Sequence, residues 1–198
     1  MEITPKRAAR NGVIYALLIL AFGVAVPAGK GLGFFEPSLL AAYACLGTIF
    51  AGPFAAQKFE QRPASLAQAI GWIARAVLLG ELIAMAMLAS GTATVYLTNR
   101  AAFFPPDLEA LGYSILLGWA ASLALASLAA WITAEFSAGV ARMALRLIFL
   151  GLLVLFYLRG QWLPTVAGPG ILISAMAAAT FLMLLRQRLK RTELAKSC

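Results

Sequence analysis

The chain has 198 residues, 62% of them hydrophobic and only 12% charged, with a mean hydropathy of +0.87 and a net charge of +8. Soluble domains use roughly 45–50% apolar residues, so this composition excludes a soluble globular protein. The chain lacks histidine, and its two cysteines, Cys45 and Cys198, share no CxxC spacing. The commonest general base, metal ligand and haem ligand are therefore missing, and neither a metal nor a cofactor is expected.

Apolar runs of membrane-crossing length, about 20 residues for a ~30 Å hydrocarbon core, recur along the chain. They predict spans near residues 12–28, 37–56, 72–96, 108–133, 142–159 and 166–185. Backbone amides left unpaired in lipid are costly, so the spans are expected to be helices. The fold class is thus all-α: a polytopic bundle of six transmembrane helices forming a single membrane domain over 1–198. The first span follows a basic stretch and ends in Val26-Pro27-Ala28 before Gly29, the form of a signal-peptide cleavage site. We read it as a retained helix; cleavage would leave five spans and an outward N-terminus.

Span two contains GFFEPSLLAAYACLGTIFAGPFAAQ. At about 100° per residue, Ala44, Gly47, Thr48, Ala51, Gly52 and Ala55 share one half of the helical wheel, and Tyr43, Leu46, Phe50 and Phe54 the other. Small residues at four-residue spacing let helices approach closely. A ligand groove needs converging polar groups, and only Thr48 and Cys45 offer any. The small half therefore reads as a helix-packing face, against either span three or another subunit. Glu36-Pro37-Ser38 forms the start of this span.

The stretch KFEQRPASLAQAIGW follows. Pro63 is expected to open a short surface helix with Leu66, Ile70 and Ile73 at helical spacing. In span three, Glu81 lies nine residues after Trp72, about 13 Å deeper if Trp72 marks the interface. An ionised carboxylate at that depth costs at least ~2.5–3.5 kcal/mol. Glu81 should face the protein interior, either as a contact for a proton, cation or substrate or as a structural hydrogen-bonding group. Arg75 lies about 240° around the helix from it and is expected to snorkel to the headgroups.

Further along, Asp107 and Glu109 suit the cap and first turn of span four, with Phe103 and Phe104 in the headgroup belt. Glu135 is placed to pair with Arg142 or Arg146 across a short loop. GPG at 168–170 reads as a turn before the last span, and RQRLKR at 186–191 as a basic flank for anionic lipid.

Thirteen of the sixteen basic residues fall on one side when both termini are cytoplasmic, leaving Lys30, Arg100 and Arg159 opposite. Cytoplasmic flanks accumulate Lys and Arg, so the charge signals topology and not nucleic-acid binding. A bacterial cytoplasmic membrane is the expected location. No HExxH, GxSxG or GxxxxGK[ST] is present, so the chain is not read as an enzyme and any energy must come from an ion gradient or another subunit.

Six spans, cytoplasmic termini and the AAQKFEQRPASLAQ stretch resemble the permease subunits of type-two ATP-binding-cassette exporters. That resemblance implies a helix after span two that couples to a separate cytoplasmic ATPase, a role it carries onto Lys58, Glu60 and Arg62. The N-terminal MEITPKRAARNG and the outer RGQWLPTVAGPG are shorter than the corresponding family elements. The expected function is a transport-related permease subunit with a separate energising partner. The alternatives are a non-catalytic assembly subunit among other membrane subunits, or a proton- or cation-coupled transporter using Glu81.

Overall fold

The computed structural model describes residues 46–98, 108–159 and 163–197, all within five helices and their turns. These are α1 (Leu46–Phe59), α2 (Leu66–Thr98), α3 (Leu108–Glu135), α4 (Ala138–Arg159) and α5 (Leu163–Ser197). No strand occurs among the described residues. Three helices contain stretches long and apolar enough to cross a bilayer: Leu66–Ala86 of α2, Gly112–Glu135 of α3 and Gly168–Arg191 of α5. Among the described residues the chain is thus all-helical, and these three helices are those of a membrane protein. The first span, Glu36–Ser38, Ala44, Cys45, Phe103, Phe104, Asp107 and Cys198 lie outside the described residues.

α3 is the central element. It packs against α1 and α5 most extensively and also against α2 and α4, while α1 lies against α2, α3 and α4. The core is rich in alanine: Ala51, Ala55, Ala69, Ala126, Ala129, Ala130 and Ala141 are fully buried. Helices lined with such residues pack with their backbones close together. Lipid supplies no hydrophobic drive for helix association, so dispersion at short range must do so.

The short helix expected to open at Pro63 is not separate. Ser65 caps α2, which begins at Leu66 and runs unbroken to Thr98. The Ser65 hydroxyl accepts a hydrogen bond from Gln68 N at 3.2 Å, and Gln68 Oε1 accepts one from Ala64 N at 2.7 Å. This is a capping box shifted back by one residue. It satisfies the amides of Ala64 and Gln68, and no proline lies between Ser65 and the span. α1 meanwhile ends at Phe59, and Arg62 adopts the left-handed conformation with φ 52°.

The turn expected at Gly168–Gly170 is also absent, because α5 passes through it with Pro169 inside the helix. Gly170 sits so close to Leu117 of α3 that a Cβ there would meet Leu117 Cδ1 at 3.0 Å. Packing on α3 outweighs the local weakness that the glycines and proline introduce.

Charged side chains tie one end of the bundle together. Arg142 of α4 donates to Glu60 in the α1–α2 turn at 3.2 Å, and Arg188 of α5 forms an ion pair with Glu135 at 3.1 Å. Glu135 therefore does not pair with Arg142 or Arg146 across its own loop: α5 lies along α3 and brings Arg188 to it. Ser137 caps α4 by accepting from Val140 N at 3.3 Å. Just inside this basic end, Phe59 meets Trp72 edge-on at 5.6 Å and Trp131 stacks on Phe181 at 5.9 Å, a placement typical of a membrane interface.

A pair of glycine substitutions separates close packing from helix propensity. A Cβ on Gly80 would meet Gly47 O at 2.6 Å and Ala51 N at 3.0 Å, whereas one on Gly71 meets nothing within 4 Å. Gly80→Ala is expected to destabilise by about 1–3 kcal/mol. Gly71→Ala should stabilise by about 0.5–1 kcal/mol. Thermal unfolding in detergent checks both signs; a Gly80→Ala protein as stable as wild type would contradict the close approach.

Candidate functional site: a buried carboxyl between three helices

The buried positions of α2 follow helical spacing: Ala69, Ile73, Ala76, Val77, Gly80, Glu81 and Ala84 form one stripe. Glu81 lies on that stripe, so the same periodicity that buries the alanines turns its carboxyl inward, leaving it 3% exposed. Arg75 lies off the stripe and is exposed, beside the exposed Leu78, Leu79 and Leu82.

Three helices enclose the carboxyl. α3 contributes Ser122, itself fully buried, whose hydroxyl donates to Glu81 Oε1 at 2.5 Å. α1 contributes an empty place. A Cβ on Gly47 would overlap Oε1, would come within 2.6 Å of Cδ, and would lie 3.1 Å from Oε2. The side chain of Glu81 therefore occupies the volume that any other residue at position 47 would fill.

The neighbouring Gly80 completes the arrangement. Its missing side chain lets α2 approach the backbone of α1 at Gly47 and Ala51. Glycine faces glycine, and the acid next in sequence reaches across. Ser122 is the protein group that satisfies Glu81, and neither ion pair among the described residues includes it. One carboxyl with one hydroxyl partner can exchange a proton or meet a single cationic group. Among the described residues no cluster of three or more metal-ligating side chains surrounds it.

The other residues singled out from the sequence fall into two groups. Gly47, Thr48, Ala51, Gly52 and Ala55 are buried, with Gly47 and Ala51 toward α2 and Gly52 against Leu145 of α4. On the bulky half, Phe50 and Phe54 are partly buried, with their rings 6.5 Å apart. Lys58, Glu60 and Arg62 are exposed at the basic end, well away along the helix from Glu81. Of these three, Glu60 is held by Arg142.

Sequence reasoning did not single out Ser122, Gly80, Arg142 as the partner of Glu60, or Arg188. A wheel drawn on α3 places Ser114, Gly118, Ser122, Ala126 and Thr133 near one another, which marks a small and polar face. Which of these would meet a residue 41 positions away depends on how α2 and α3 cross.

Replacing Ser122 by Ala leaves a buried carboxyl without its hydrogen bond, an effect of about 1–3 kcal/mol. Gly47→Ala is expected to be at least as damaging, because the new methyl group collides with the carboxyl. In a Glu81→Ala background the Gly47→Ala effect should largely disappear, since coupled neighbours are non-additive. A double-mutant cycle on thermal unfolding in detergent measures this, and additive effects would show that the two sites do not touch.

The chain matches no family model, no curated protein and no solved structure.

Proposed function

We propose that the chain is a transport-related permease subunit in which Glu81 contacts the translocated ion or a cationic group of the substrate. The observation that supports this is the carboxyl itself. It is held inside a membrane-crossing helix by one hydroxyl, with no lysine or arginine partner among the described residues. Membrane proteins seldom keep an acidic side chain at such depth without a use for it.

Energy comes from an ion gradient or from a separate partner, because the chain has no phosphate-binding loop of its own. In this reading the basic end faces the cytoplasm. A partner, such as the ATPase that the exporter resemblance implies, meets the chain at the α1–α2 turn. Lys58 and Arg62 are exposed there, and Glu60 is braced against α4. The turn, and not a separate coupling helix, is then the contact element. The alternative of a purely structural assembly subunit has less support, since the small face of α1 is covered by helices of its own chain.

Proteoliposomes loaded with a pH-sensitive dye, with an imposed proton or sodium gradient, test the role of Glu81. Wild-type protein should dissipate the gradient, and Glu81→Gln, which keeps the size and hydrogen-bonding capacity of the side chain, should slow this by tenfold or more. Equal rates for wild type and Glu81→Gln would defeat the proposal.

A further inference from the structure

α5 bears an exposed stripe whose chemistry changes along its length. Leu172, Ile173, Met176 and Met183 are 67%, 68%, 70% and 66% exposed, and they recur on one side of the helix. The same side continues into Arg186, Lys190 and Arg191, all exposed. The opposite side holds α5 to the bundle: Gly170 lies against Leu117, Phe181 against Trp131, Leu185 is fully buried and Arg188 reaches Glu135. The helix thus divides its basic residues between two tasks. Arg188 turns inward to an acid, while Arg186, Lys190 and Arg191 turn outward.

We propose that this stripe binds an anionic phospholipid, with the headgroup phosphate on Arg186, Lys190 and Arg191 and the acyl chains along Met183, Met176, Ile173 and Leu172. Three observations favour a lipid. First, the apolar part, twelve residues from Leu172 to Met183, is about 16 Å long over its eleven rises of 1.5 Å, close to the ~15 Å depth of one leaflet's hydrocarbon. Second, both acids in the interhelical ion pairs at this end, Glu60 and Glu135, are already engaged by Arg142 and Arg188. Third, the one hydroxyl on the apolar stripe, Thr180, is satisfied by Met176 O at 2.9 Å, so the stripe presents no polar group that needs a protein partner. A second copy in the same membrane orientation would bring its own three cations against these, which argues against a homodimer through this face.

The full-length chain, purified in a neutral detergent, is titrated with phosphatidylglycerol, phosphatidylcholine or inorganic phosphate and followed by native mass spectrometry and thermal unfolding. Phosphatidylglycerol should bind and raise the unfolding temperature, whereas phosphatidylcholine and free phosphate should not. Each basic residue near an anionic headgroup contributes about a fivefold effect. The triple variant Arg186→Gln, Lys190→Gln, Arg191→Gln should therefore bind phosphatidylglycerol about a hundredfold more weakly, and Lys190→Gln alone about fivefold more weakly. Arg186→Lys with Arg191→Lys keeps the charge and should keep binding. Equal binding of the two lipids to wild type would overturn the proposal. So would undiminished phosphatidylglycerol binding by Lys190→Gln, or a lipid-independent dimer that these substitutions dissociate.

Discussion

The contact between α1 and α2 at Gly47 and Gly80 sets the distance on which the rest of the bundle depends. In a bilayer, lipid tails solvate an apolar helix as well as another helix does, so association rests on short-range packing and on hydrogen bonds between helices. Both are present at this point. The absent side chains at 47 and 80 bring the two backbones together, and the Glu81 carboxyl fills the space that remains. The close approach keeps that carboxyl buried against Gly47, and the carboxyl in turn joins α2 to α3 through Ser122.

From that contact the remaining helices follow in layers. α3 carries alanines and serines on several sides, which lets it sit among four neighbours. α4 is held to α1 where Leu145 packs on Gly52 and where Arg142 reaches Glu60. α5 lies along α3, with an ion pair at one end and an aromatic stack next to it. The two ion pairs are partly exposed, so each contributes little to stability. Their role is better understood as fixing which ends of the helices lie together. The apolar interior tolerates Glu81 because Gly47 leaves room for its carboxyl and Ser122 bonds it, while the two interhelical ion pairs are gathered at the basic end.

Several features are legible in the residues alone. Long apolar runs require helices in a membrane, and the breaks at QKFEQRPAS and AEFSAG carry turn formers and charges, which is where α1 gives way to α2 and α3 to α4. Helical periodicity alone turns Glu81 and Arg75 in different directions. Less legible are the helix boundaries near prolines. Local propensity makes Pro63 a helix start, yet the Ser65 and Gln68 side chains cap α2 by accepting from Gln68 N and Ala64 N. Propensity likewise makes Pro169, between two glycines, a turn, yet packing on Leu117 keeps that stretch helical. In both places the deciding interaction involves a side chain whose position is not a matter of local propensity.

The sequence by itself determined that the chain is helical and membrane-embedded, that α1 has a small and a bulky half, and that one acid lies deep in an apolar helix. Those properties follow from composition and from the 3.6-residue period, which act locally. Only the tertiary structure decided that the small half of α1 meets Glu81 of its own chain, that Ser122 is the hydroxyl bonded to it, and that Glu135 pairs with Arg188 instead of Arg142, which is nearer in sequence. Each of those depends on how helices far apart in sequence cross, and small-residue faces fit one another in many registers. In this protein the register is marked by the carboxyl of Glu81, which has room only opposite a glycine.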